Sequence, residues 1–250
     1  MTSKQTSTST QGRASQWTLY MAIPGVILLL ALGSWQTYRL FWKIEVNDFR
    51  AEQSAGEPVP LPQTMANVAD WQYRPVYVEG QFLHAGEIYL AARSFRRQVG
   101  YHIITPFEMT DGRTVLINRG WVIEKQKLPE TRADGQIEGL TRVAGLVVLG
   151  QQDSWLKPEN APDENFWYWV DLPSISAAAG LPTQSYLIEA DETANPGGLP
   201  IGGQTRLILR NEHLQYAIIW YLLAVGLVGI TYMMRRGAGR PTDQSGDQQS

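Results

Sequence analysis

The residue best placed to do chemistry is a histidine at the threshold of an apolar run. Asn211-Glu212-His213-Leu214-Gln215-Tyr216-Ala217 leads into an uncharged stretch that lasts to Met234. If the helix starts at His213, the 3.6-residue period puts His213, Tyr216, Ala217 and Trp220 on one face. Near the end of an earlier apolar run, Trp35, Arg39 and Trp42 stand at i, i+4 and i+7 and also share a face. An imidazole walled by aromatic rings, with the guanidinium of Arg39 or Arg210 nearby, has the composition to ligate a haem iron. His213 would be the metal ligand and the arginine would pair with a propionate. The competing reading is an interfacial histidine that hydrogen-bonds lipid headgroups or a helix end, and from these residues alone it is the simpler one.

Other chemistry is harder to find. HExxH, GxSxG and GxxxxGK[ST] do not occur, which argues against a zincin, an α/β-hydrolase and a P-loop nucleotidase. Ser154-Trp155-Leu156-Lys157 fits S-x-x-K, but without SDN or KTG it reads as coincidence. The glycines of 195–203 (NPGGLPIGG) suit a turn-rich loop better than a phosphate cradle. His84 falls in a turn and His102 in a strand, and neither has a His or Cys at metal-ligand spacing. The chain has no cysteine, which removes disulfides and thiolate chemistry. The residue search finds no nucleophile or acid–base pair, so no enzyme is expected. Two clusters suit a partner surface. Arg93, Arg96 and Arg97 surround Phe95, and Asn118-Arg119-Gly120-Trp121 ends a strand. Arginine and tryptophan are enriched at interface hot spots, although Trp121 also suits a core cap and Arg119 a buried ion pair.

These residues need elements to hold them. Of the 250 residues, 17–38 form an uncharged apolar run with Trp17, Tyr20, Trp35 and Tyr38 toward its ends. At 1.5 Å per residue it is long enough to cross the ~30 Å hydrocarbon layer. Residues 213–234 make a second span, with Tyr216, Trp220, Tyr221 and Tyr232 near its borders. Pro24 should bend the first span or mark the start of its regular helix. A cleaved signal peptide competes for the first run, with Ala31-Leu32-Gly33 as its cleavage site, but the run exceeds the usual h-region and flows into a helical pattern. Residues 1–16 and 235–250 read as disordered cytoplasmic tails and 39–55 as a helical extension.

The middle, 56–212, reads as a β-rich domain with runs at 74–82, 87–93, 101–109, 113–123, 140–149, 166–172, 185–190 and 204–210. Asp111-Gly112 marks a hairpin and 173–180 a short helix. The predicted fold is a membrane protein with two transmembrane α-helices flanking a mainly antiparallel β (α+β) extracytoplasmic domain. Residues 40–215 hold 22 acidic against 15 basic side chains, which excludes a nucleic-acid surface. Arg235 and Arg236 beyond the second span favour both termini in the cytoplasm, because a loop longer than ~60 residues weighs little in the charge rule.

Four segments in order carry a resemblance: Gly33-x-Trp35-Gln36-x-x-Arg39-x-x-Trp42-Lys43; Tyr73-Arg74-Pro75-Val76 with Gly80 and Phe82; Asn118-Arg119-Gly120-Trp121-Val122; and Asn211-x-His213-Leu214-x-Tyr216-Ala217-x-x-Trp220-Tyr221. With the matching spans, the chain resembles the surfeit locus protein 1 family of cytochrome c oxidase assembly factors over residues 22–234. Glu212 stands where the family's form has a second asparagine. The resemblance implies a multi-pass protein of the bacterial inner (plasma) membrane with a periplasmic domain. It also implies partnership with cytochrome c oxidase subunit I and other assembly factors. Transient haem a binding through His213 would come with it, and the role would be non-catalytic. Two alternatives stand beside haem handling. One is a structural scaffold that binds oxidase subunits without haem. The other is a membrane-anchored sensor or enzyme with a ligand pocket in the domain, disfavoured by the short C-terminal tail.

Overall fold

The structure, a computed structural model, describes residues 10–151 and 157–238, with side chains from 20 to 151 and from 157 to 236. Ser154 and the polar stretches 1–9 and 239–250 lie outside the described residues. The chain forms two compact units, one made of 1–47 with 209–250 and the other of 48–208.

The first unit is a pair of helices, part of α1 (Thr10–Ser54) and all of α3 (His213–Ala238). Helix begins at Thr10, well inside the expected 1–16 tail, where Gln, Arg and Ala are good helix formers. It runs through Pro24, so this proline interrupts one backbone bond and does not begin the helix. Both α1 and α3 contain stretches long and apolar enough to cross a membrane, Tyr20–Ser54 and His213–Arg236. They pack antiparallel through small residues. A Cβ on Gly25 would lie 3.0 Å from Leu227, one on Gly33 would lie 2.8 Å from the Tyr221 ring, and Ala217 and Ala224 are buried. Small residues let helix backbones approach where lipid offers no hydrophobic drive. Tyr221 adds hydroxyl contacts of 3.4 Å to Ser34 and to Thr37.

The second unit is the predicted β-rich domain. Its strands are β1 (Val59–Pro60), β2 (Pro75–Phe82), β3 (Ile88–Phe95), β4 (Gln98–Met109), β5 (Thr114–Ile123), β6 (Thr141–Leu149), β7 (Phe166–Trp167) and β8 (Tyr186–Ala190). They pair in the order β1-β2-β6-β8-β5-β4-β3-β7, and an extra β2–β4 pairing closes β2, β6, β8, β5 and β4 into a ring. Most ladders are antiparallel, while β1–β2, β3–β7 and β5–β8 are parallel. The ring encloses Val76, Val78, Phe107, Ile117, Val147 and Ile188. A second core on the far side of β5 joins Leu116, Trp167, Ile175 and Leu187 beneath α2 (Leu172–Ala178). β5 is therefore buried on both faces.

Local signals explain the elements. Gly112 at φ +83 closes the Asp111-Gly112 hairpin. Asp171 caps α2 by accepting from the Ser174 N–H, and Gly180 at φ +68 follows its end. Two expected strands fail. Residues 166–172 pair only over Phe166–Trp167, because Asn160 Oδ1 takes the N–H groups of Tyr168 and Trp169 and Asp171 then starts α2. Residues 204–210 form no strand. Arg50 Nη1 donates to the Arg206 carbonyl at 2.9 Å, and Asn47 Nδ2 and Oδ1 hold the carbonyl and N–H of Leu209, so helix side chains occupy groups a ladder would need.

Candidate functional site

At the end of the helix pair opposite Arg235, the antiparallel packing brings the first turn of α3 against residues 36–47 of α1. Asn211 Nδ2 donates to the Leu40 carbonyl at 3.1 Å, and Asn211 Oδ1 receives the His213 N–H at 3.4 Å. His213 Nδ1 meets Gln36 Oε1 at 2.7 Å. An amide oxygen only accepts, so Nδ1 carries a proton, and in the neutral tautomer Nε2 is the nitrogen left with a lone pair. A neutral imidazole oriented through its second nitrogen is the usual state of a histidine that ligates a metal.

A cleft of about 280 Å³ opens here, lined by Gln36, Lys43, Arg210, Glu212, His213 and Tyr216. Of the residues expected to gather at a cofactor, His213, Tyr216 and Arg210 do. Arg39, Trp35 and Trp220 do not line it. The Arg39 guanidinium instead lies 4.4 Å from the Trp42 ring centroid, and Trp35 is 54% exposed. Arg210 is ion-paired with Glu212, so part of its charge is already answered. Lys43, which sequence reasoning passed over, has no hydrogen-bond or ion-pair partner among the described residues. The face of α1 that meets α3 carries Gly33, Gln36, Leu40 and Lys43, not the aromatic stripe. The small residues Gly25 and Gly33 were the signal that could have shown this.

In the domain, the expected partner-binding residues separate. Arg119 and Trp121 are 1% and 4% exposed, so neither offers a docking surface. Between Ile103 and Ile104 the β4–β5 register shifts, making Arg119 the extra residue of a bulge, with Gly120 at φ +121. Arg119 lies over the Phe82 ring at 4.4 Å, donates to the Gly135 carbonyl and stands 3.7 Å from Glu87. Arg132 completes a buried Arg–Glu–Arg cluster through two bonds to Glu87. Burial alone would raise the Glu87 pKa. The His84 ring, 3.6 Å away, and the hydrogen bonds and charge of Arg132 outweigh it and hold the carboxyl below its ordinary value. Trp121 anchors a hairpin. Its indole N–H donates to the Arg93 carbonyl at 3.0 Å, and its ring lies 5.5 Å from Phe95. Arg96 and Arg97 occupy the turn of that hairpin, both exposed and both at positive φ, +46 and +66.

Comparison with known proteins decides the family. The SURF1 family model matches residues 23–225, which takes in α1 from Ile23 onward, the whole domain and the first half of α3. The chain belongs to the SURF1 family. It is 39% identical over 226 residues to human Surfeit locus protein 1, covering 84% of this chain and 73% of the relative. A SURF1-like protein of Monosiga brevicollis is 37% identical over 246 residues, covering 93% and 92%. The mouse Surfeit locus protein 1 is 38% identical over 221 residues, covering 82% and 71%. The segments of the SURF1-family resemblance have distinct structural work in this chain. Gly33 and Gln36 meet α3, Arg119-Gly120 forms the bulge, Trp121 fastens the hairpin, and Asn211 and His213 lock the first turn of α3 to α1. Glu212 pairs with Arg210.

Proposed function

We propose that this chain is an assembly factor for a haem–copper (cytochrome c) oxidase that holds haem a transiently and assists its delivery to subunit I, with other assembly factors as further partners. The reading places it in a bacterial inner membrane, with both termini cytoplasmic and the domain periplasmic, and gives it no catalytic step. The observation that carries it is the His213–Gln36 bond, which leaves Nε2 as a ligand at the mouth of a cleft between two membrane helices. The donor set fits a haem. His213 supplies the iron ligand, Lys43 and Arg210 suit propionates, and Tyr216 provides an aromatic wall. The bound group brings its own iron chemistry. The chain's residues only orient it and neutralise its carboxylates.

A second reading, a scaffold that docks oxidase subunits without haem, is favoured by one observation. A two-residue turn with positive φ at both positions ordinarily takes Asn and Gly, whereas here two arginines occupy it at a strain of roughly 1–3 kcal/mol each. Strained, exposed charges suit an acidic partner surface.

One experiment separates the two. Protein purified in detergent from a haem-a-producing host should show a Soret band. His213→Ala should remove it, and Gln36→Leu should weaken haem affinity about 10–100-fold by releasing the tautomer. Colourless wild-type protein that still carries oxidase subunits, and loses them on Arg96→Glu with Arg97→Glu, would replace the haem reading with the scaffold.

A further inference from the structure

The domain contains a second recess, of about 500 Å³, whose polar wall includes Arg93, His102, Gln151, Glu189, Gln204 and Arg206. The proposed function makes no use of it. Its volume is that of a small-molecule site. Two bulges build it. On β3, Ala91 and Ala92 stand opposite one residue of β4, and Ala92 takes φ +56, which re-aims Arg93 at the recess. The guanidinium is steadied there by one bond, Nη2 to the Tyr168 carbonyl at 3.0 Å. On β5, the bulge at Arg119 sets Asn118 beside His102. Asn118 Oδ1 accepts from the Gly120 N–H at 3.2 Å, so Nδ2 faces His102 Nδ1 at 3.1 Å. Nδ1 is then an acceptor and the ring proton lies on Nε2, which has no hydrogen-bond partner among the described residues. Burial, helped by the charges of Arg93 and Arg206, presses the His102 pKa down to about 3 and keeps the ring a neutral donor.

The fourth wall is the 204–210 segment, whose strand pairing fails. Arg206 is carried on it, and its guanidinium has no hydrogen-bond or ion-pair partner among the described residues. The Glu189 carboxylate is engaged by Thr205 Oγ1 at 2.5 Å and Asn118 Nδ2 at 3.4 Å. Two guanidiniums therefore face one carboxylate, leaving a single excess positive charge. A guanidinium fork matches a planar carboxylate, and one excess charge favours a monoanion over a phosphate dianion.

We propose that the recess between Arg93, His102 and Arg206 is a binding site for a small organic monocarboxylate, independent of the His213 cleft. Full-length protein in detergent, labelled with 13C and 15N in histidine, reports it directly, because the chain's three histidines give three imidazole signals that His84→Gln and His213→Gln assign. Acetate and benzoate are the probes. Benzamide is the neutral counterpart of benzoate, and inorganic phosphate tests the anion type. Benzoate or acetate should move the His102 signal saturably at concentrations up to the order of 10 mM and leave His84 and His213 unmoved. Arg206→Gln, on an exposed residue, should weaken this at least about tenfold, and Arg96→Gln should leave it unchanged. No saturable shift with either carboxylate, an equal response to benzamide, or tighter binding of phosphate would each overturn the assignment. None of these outcomes depends on whether the protein carries a Soret band.

Discussion

Glu87 is the residue on which the domain's buried charge depends. It is 5% exposed, lies between Arg119 and Arg132, and is reached also by Gln136 Nε2 at 3.3 Å. Glu87→Gln would leave two buried guanidiniums without a counter-charge, and the domain should lose about 3–5 kcal/mol at pH 7. The folded pKa of Glu87 is depressed below 4.5, so its contribution is complete above that value and fades as pH falls through the lower, folded one. Denaturation midpoints of wild type and Glu87→Gln should therefore differ most at neutral pH and converge as acid is added below 4.5. A gap constant down to strong acid would refute the charge account. His102 does not confuse the comparison. Its depressed pKa costs both chains the same stability as pH falls from 6.5 toward 3. Neither role was legible in sequence. Arg119 announced a buried pair, but its partner lies 32 positions away across a bulge that no local pattern marks, and His102 read as an ordinary sheet residue.

At the scale of elements, local signals were read correctly wherever the chain decides locally. The Asp111-Gly112 hairpin, the proline-led α2 and six of the strand runs follow from turn chemistry and alternation. Residues 204–210 show the limit. Their β-rich pattern was sound, but Arg50 and Asn47 from a distant helix claimed the backbone first. The helix pair shows the same limit in another form. Of the expected α3 face of His213, Tyr216, Ala217 and Trp220, His213 and Ala217 meet α1, whereas on α1 the aromatic stripe drew attention away from the small-residue face that packs. That packing makes a sharp demand at Gly33, where any Cβ meets the Tyr221 ring. Gly33→Leu should push α1 and α3 apart by on the order of 1–2 Å. Because the chain lacks cysteine, spin labels at Tyr38→Cys and Ile218→Cys, both on exposed positions, read the separation directly. Gly226→Leu, at a glycine with open space around it, should leave the distance unchanged. Equal distances in the Gly33 variant and wild type would show that the close contact does not hold the pair.

For the whole molecule, the order of apolar, β-rich and apolar blocks was visible in the residues, while the closed ring was not, since the β2–β4 and β5–β8 pairings join strands far apart in sequence. The helix pair adds a constraint that hydropathy alone lacked. α1 and α3 run antiparallel, and Asn47 clasps Leu209 through both its amide atoms, so the chain leaves and re-enters the pair at one end. On the proposed reading, in which both helices cross, residues 48–208 would lie on one side of the bilayer. Charge would select which side. Arg235 and Arg236 close the last turns of α3, while Arg39, Lys43, Arg50, Arg206 and Arg210 flank a loop beyond the ~60-residue reach of the positive-inside rule. Alkaline phosphatase fused after Glu159 should therefore be active and the same enzyme fused after Ala238 inactive. Replacing Arg235 and Arg236 with Glu should reduce that asymmetry if they set it. Activity confined to the C-terminal fusion would invert the molecule and put the His213 cleft at the cytoplasmic surface, against the proposed orientation.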